Sequence, residues 1–188
     1  MDTAARNLPF LDADAFLRTD QSEFGTAWRY ELVRGKIVAH TAPSPEHGVI
    51  LGNLASEIHS RLRGHPDRRL EIGSGAASQY EERDTARIPD ATIRCGRLPR
   101  VLFEVISPSE LTHKRQWDQK RADLQAVEGV EEIIEIFQDE MLARAYRRHD
   151  AGWFFESISG TNAELALPSV AITLPLAALY ERVVPEGD

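Results

Sequence analysis

The chain has 188 residues, 42% of them hydrophobic and 28% charged, which is enough for one α/β domain with a full core and little to spare for a second. Its single cysteine, Cys95, excludes an intramolecular disulfide and suits a reducing compartment, and its net charge of −8 excludes a surface that grips nucleic acid all over. That balance leaves room for a local basic cleft and for a carboxylate-rich site that a divalent cation would neutralise.

Residues 1–20 lack the basic start and apolar core of a signal peptide, and no apolar run approaches the length of a membrane span. The expectation is a cytoplasmic protein with no membrane partner. Residues 1–29 form an N-terminal helical segment, in which Leu11–Arg18 has helical spacing and Asp12 is a possible N-cap. Residues 30–184 form the single main domain, and 185–188 read as a frayed tail.

Tyr30–Ala39 reads as two strands turning at Arg34-Gly35. Ser44-Pro45 opens a helix that runs to about Arg63, with an apolar stripe at Leu51, Leu54, Ala55, Ile58 and Leu62. Strands are expected at Arg69–Ile72, Ala77–Tyr80, Ile88–Arg94 and Val101–Ile106. The last is almost continuously apolar and should be a central strand buried on both faces. Lys114–Val127 reads as a helix with Gly129 as a C-cap. Glu132–Phe137, Leu142–Arg148 and Trp153–Ile158 read as an antiparallel meander, followed by a strand near Leu165–Leu167 and a short helix near Leu174–Arg182. This order predicts an α/β (α+β) fold, a mixed sheet flanked by helices.

Five residues stand out against that background. Glu104 interrupts the apolar run Leu102-Phe103-Glu104-Val105-Ile106, where a carboxylate is costly unless paired, protonated or bound to metal. An arginine such as Arg100 could equally pair with it, or it could face solvent at a strand end. Asp90, in Ile88-Pro89-Asp90, lies where a proline marks a strand's beginning, and simple turn chemistry is the plain alternative. If the strands of Asp90 and Glu104 pair, the two carboxylates can converge on one cation, with oxygen ligands that suit Mg²⁺ or Mn²⁺. Lys120 falls within the apolar stripe Trp117, Leu124 and Val127, as a site residue or as a lysine whose head snorkels to water. His47, in the first turn of its helix, and Glu31, in the first strand, complete the candidates. Each has an ordinary reading, a histidine bonded to a loop carbonyl and an exposed strand glutamate.

The ordered set YELVRGKIV, SPEHG, RIPDATI, LFEVISPS, WDQKRADL and EGVEEIIEI resembles the Uma-type family of restriction endonuclease-like proteins, within the PD-(D/E)XK nuclease superfamily, from about Tyr30 to Val183. The resemblance implies a restriction-endonuclease-like fold and a Mg²⁺- or Mn²⁺-dependent endonuclease that hydrolyses phosphodiester bonds of DNA, as a possible homodimer. It implies Asp90, Glu104 and Glu31 as metal ligands, and Asp90, Glu104, Lys120 and His47 as catalytic residues. The lysine that ordinarily stands two residues after the acid is replaced by Ile106, and the resemblance puts it on the following helix, at Lys120. Gln116, Leu124, Ile133 and Ile134 depart from the family's usual aspartate and aromatics. A catalytically degenerate nucleic-acid-binding or assembly module on the same fold is the rival reading, and a zinc-preferring hydrolase built on His47 is a third. Motifs of serine hydrolases, P-loop NTPases and zincins are absent.

Overall fold

A computed structural model describes residues 12–80 and 83–183. The expected helix start at Leu11 and the tail at 185–188 lie outside the described residues. Helix α1 (Ala13–Arg18) is capped by the Asp12 side chain, which accepts from Ala15 N. Strands β1 (Arg29–Val33) and β2 (Lys36–His40) form the expected hairpin. Its turn puts Arg34 at φ 50° and Gly35 at φ 74°, the paired left-handed conformation that matches the twist of a tight hairpin. Helix α2 (Pro45–Leu62) starts where Ser44 accepts from His47 N, and buries Ile50, Leu54, Ile58 and Leu62.

The strands that follow are β3 (Arg68–Ile72), β4 (Ala76–Tyr80), β5 (Arg83–Arg87), β6 (Ala91–Cys95) and β7 (Leu98–Ile106). Helices α3 (Pro108–Thr112) and α4 (Lys114–Gln125) lead to β8 (Glu132–Phe137), β9 (Leu142–His149) and β10 (Gly152–Ser159). Strands β11 (Glu164–Leu167) and β12 (Ile172–Pro175) and helix α5 (Leu176–Leu179) close the domain.

Among the described residues three sheets form. The main one has six strands in the order β10-β9-β8-β7-β6-β3, a second has the order β2-β1-β5-β4, and β11 pairs with β12. The fold is the expected mixed α+β arrangement of a multi-stranded sheet flanked by helices. Strand β7 is central, antiparallel to β6 and parallel to β8, and α4 lies on the crossover between the two parallel strands. One face of the main sheet packs Val101, Phe103 and Val105 against α2 and the β11–β12–α5 unit. The other packs Leu102 and Ile133 against Leu124 and Val127 of the α4 region.

Several elements differ from expectation. The predicted strand Ile88–Arg94 begins only at Ala91, with Asp90 immediately before it. Residues 83–87 pair in the second sheet, residues 91–95 in the main sheet, and Ile88-Pro89-Asp90 carries the chain between them. Proline lacks the N–H that a continuous ladder would need. Helix α3 has a capping box of Ser107 with Glu110, and Pro108 occupies its first turn. Ala171, at φ 51°, turns the chain so that β12 folds back on β11, which leaves only Leu176–Leu179 for the final helix. Helix α4 caps at Ala126, and Gly129, at φ 84°, sits in the loop beyond it.

Phe103 is fully buried between sheet and helix. Phe103→Ala is expected to cost about 3–5 kcal/mol in urea unfolding, while Val38→Ala, on an exposed strand face, stays within about 0.5 kcal/mol of wild type.

Candidate active site

The break at residues 88–90 sets up the site. Asp90 immediately precedes β6, and Ala91 pairs with Phe103, so Asp90 lies across from Glu104 where the two strands meet. Its Oδ2 accepts from Val105 N at 2.9 Å, and its backbone carbonyl accepts from Gly73 N at 3.0 Å. The side chain thus stands in for a ladder acceptor at the strand's frayed start. Arg29 Nη1 donates to Asp90 Oδ1 at 3.0 Å, and His47 Nε2 lies 3.4 Å from Oδ2.

Glu104 is 2% exposed, inside the central strand. Arg100, a partner considered for it, pairs with Glu131 instead. Lys120 reaches in from α4, and its Nζ stands 2.8 Å from Glu104 Oε1. That contact is a buried ion pair at hydrogen-bond distance. Lys120 does not snorkel, being 6% exposed. Its Nζ also lies 3.7 Å from Glu31 Oε1.

Glu31 is fully buried and not an exposed strand residue. It accepts from Ile88 N and from Arg87 Nη1, each at 2.9 Å, and His40 Nε2 lies 3.1 Å away. Arg87 in turn donates to Asp123 Oδ2 through Nε at 2.9 Å and Nη2 at 2.6 Å. The five expected site residues Glu31, His47, Asp90, Glu104 and Lys120 are therefore brought into one linked cluster. Sequence reasoning missed Arg29, His40, Arg87 and Asp123. Asp123 carried a signal, since it stands one turn from Lys120 on the same helix, but its burial depends on Arg87 arriving from another sheet.

Charge is distributed unevenly in this cluster. Burial pushes the Glu104 carboxyl up to about 8, with the charge of Asp90 adding to the rise and Lys120 opposing it. Burial also acts on Asp90, but the hydrogen bond and charge of His47, with Lys120 and Arg29, hold its carboxyl below the usual range. Glu31 is likewise held well below its usual value against burial, by Lys120, His40 and Arg87. Burial disfavours the Lys120 ammonium, yet Glu104 and Glu31 raise it above its ordinary value.

Two cations, from Lys120 and Arg29, now stand among the carboxylates. Among the described residues no three of His, Cys, Asp and Glu are grouped so as to hold a metal ion. The donors nonetheless have the chemistry that a hard divalent cation takes. Asp90 and Glu104 offer buried carboxylate oxygens from adjoining strands. Lys114 and Arg115 are exposed at the start of α4. Arg121 instead donates to the buried Glu135 at 2.8 Å.

Residues 13–177 match the Uma2 family, described as "Putative restriction endonuclease". The chain belongs to the Uma2 family. Membership supports a nuclease-like function with nucleic acid as the substrate class. Among solved structures, a nuclease described as putative and as belonging to DUF820, from Anabaena variabilis ATCC 29413, superposes with a TM-score of 0.69. It is 18% identical in sequence, over 93% of this chain and 99% of that one, a likeness that establishes the shared fold. No curated protein matches the chain. Among the described residues, no helix of this Uma2 protein is long and apolar enough to cross a membrane.

The raised Glu104 carboxyl gives a pH signature. It binds its proton more tightly folded than unfolded, so its contribution to stability is complete below about pH 4.5 and is lost as pH rises through about 8. Urea midpoints of the metal-free protein are expected to fall between about pH 6 and pH 9, and Glu104→Gln, neutral throughout, to flatten that fall. Equal slopes for both proteins would refute the raised carboxyl.

Proposed function

We propose that this Uma2 protein is a cytoplasmic, metal-dependent endonuclease that hydrolyses phosphodiester bonds of DNA. The observation carrying this reading is the buried Lys120–Glu104 ion pair beside Asp90, in a chain whose family is described as "Putative restriction endonuclease". Asp90 and Glu104, with Glu31 nearby, would hold Mg²⁺ or Mn²⁺. A divalent cation bound there supplies positive charge for the scissile phosphate and makes water a stronger acid.

The chain's own groups account for the remaining work. Lys120 carries a positive charge on a nearly buried side chain, where it would orient the attacking water or stabilise negative charge building on the phosphate. His47 lies against Asp90 and would ligate the metal or transfer a proton. Arg29 and Arg87 restrain Asp90 and Glu31 so that neither carboxylate swings away. A homodimer would present two such sites to the two strands of a duplex.

A binding or assembly module on the same fold is the second reading. Ion pairs that already satisfy Asp90 and Glu31 favour it.

Nicking of supercoiled plasmid in Mg²⁺ or Mn²⁺ tests the proposal, with variants purified identically. Wild type is expected to nick, and Glu104→Gln and Lys120→Met each to lose about hundredfold or more in rate. Calorimetry with Mn²⁺ is expected to show binding that Asp90→Asn removes. Equal nicking by wild type and Glu104→Gln would assign the activity elsewhere. Absence of both nicking and Mn²⁺ binding would favour the module.

A further inference from the structure

The main sheet ends differently on its two sides. On one side stands β3, whose five residues include Arg68, Arg69 and Glu71. Arg69 and Arg94 both bond Glu71, each at 2.7 Å, so charge lines that edge. Charged side chains at an edge keep further strands from adding to it. On the other side stands β10, with Glu156 as the one charged residue among its eight. Arg147 of β9 already takes that carboxylate. Phe154 is 56% exposed and Phe155 61%, and as consecutive strand residues they point to opposite faces of the sheet. Phe155 lies against Tyr146 and Phe154 against His149, so both rings are held in place. Among the described residues no further strand pairs with this edge.

The hairpin register shows which backbone groups are open. Gly152 pairs with His149 across a two-residue turn, and Gly160 N donates to Met141 O at the far end. The even-numbered residues of β10 therefore bond to β9, and Trp153, Phe155, Ser157 and Ser159 aim their N–H and C=O groups away from it. Among the described residues nothing bonds those outward groups. A row of this kind is completed by another strand.

The run Trp153-Phe154-Phe155 indicates which strand. Two identical strands pair antiparallel about a two-fold axis. With the axis at Phe154, Trp153 of each copy meets Phe155 of the other in a hydrogen-bonded pair, and the two Phe154 rings meet in the closer, non-hydrogen-bonded pair. Glu156 then faces Gly152 of the second copy. An axis at Phe155 would set Glu156 against Phe154, and an axis at Glu156 would set two carboxylates face to face. Only the Phe154 register gives each exposed ring an aromatic partner. Two copies of a chain with net charge −8 repel over most of their surface, and β10, whose carboxylate is already paired, lets them approach.

We propose that two copies of this chain associate through β10, antiparallel and centred on Phe154, so that the main sheet continues across the dimer. This gives the homodimer of the nuclease reading a contact surface, and it stands independently of the chemistry at Glu104.

Analytical ultracentrifugation of the full-length protein tests it. Wild type is expected to be dimeric at about 100 µM and to dissociate toward about 1 µM, because a strand edge buries less than the roughly 1,000 Å² of a tight interface. Phe154→Lys, at an exposed position, is expected to weaken the dimer by about tenfold or more and to leave the far-UV spectrum and urea midpoint near those of wild type. Oxidation in a Cys95→Ser background reads the register. Phe154→Cys is expected to give a covalent dimer, because Cα atoms of a non-hydrogen-bonded pair lie ~4.5 Å apart. Ser157→Cys is expected to give none, because its two copies would lie about 20 Å apart along the strands. A protein that stays monomeric throughout that concentration range overturns the proposal, as does a dimer that Phe154→Lys leaves unchanged. A covalent dimer through Ser157→Cys but not through Phe154→Cys overturns the register. Plasmid nicking separates the two claims. A monomer that nicks removes this interface and leaves the nuclease reading, and a dimer of the expected kind that does not nick does the reverse.

Discussion

A carboxylate in the middle of a central strand constrains everything around it. Glu104 occupies an interior position of β7, where water cannot reach it, and an unpaired charge there would cost several kcal/mol. Lys120 balances it, so α4 must present one particular face to the sheet. The neighbouring strand enforces that face. Glu135 stands in register with Glu104 on the parallel partner β8, and it accepts from Trp117 Nε1 and Arg121 Nη1, both at 2.8 Å. Two acids side by side on the sheet are thus each taken by side chains of the same helix. Charge pairing, added to the apolar contacts of Leu124 and Val127, fixes the rotation of α4.

The same network joins the two sheets. Arg87 closes the second sheet and spans Glu31 of β1 and Asp123 of α4. Asp90 binds Arg29 from the second sheet and Val105 N from the main one. Where an ordinary fold would seal such a seam with apolar side chains, this one uses alternating charges. Buried networks of this kind hold their members in narrow geometries when each is satisfied. Such preorganisation is what a site needs if its groups are to meet a substrate without rearranging.

Much of this was legible in the chain itself. The alternation around Arg34-Gly35, the Ser44-Pro45 helix start and the apolar run of β7 each rest on local periodicity or capping. The polar interruptions at Glu104 and Lys120 showed because they broke such patterns. Strand β5 did not show: Arg83–Arg87 is strongly polar, and its strand character comes from pairing with β1 and β4. Arg87 was hidden with it, since nothing local marks an arginine whose partners arrive from another strand and a helix. The Ser107-Pro108 start of α3 was passed over, although its capping box is a local signal of four residues. Strand β12 was obscured by the turn at Ala171, a left-handed conformation that a residue with a side chain rarely adopts.

The placement of Lys120 on a helix has a consequence for Ile106. That residue is two positions beyond Glu104, points to the same face, and packs with Trp117 and Phe137. Because the ammonium comes from the crossover, the strand position is released to serve as packing, and the cation's location depends on helix rotation instead of strand register. The two charges are neighbours in space while sixteen residues apart in sequence. A search for acid and lysine at fixed tripeptide spacing would pass over this chain, whereas a search for an ammonium within ion-pair distance of a buried strand carboxylate would find it.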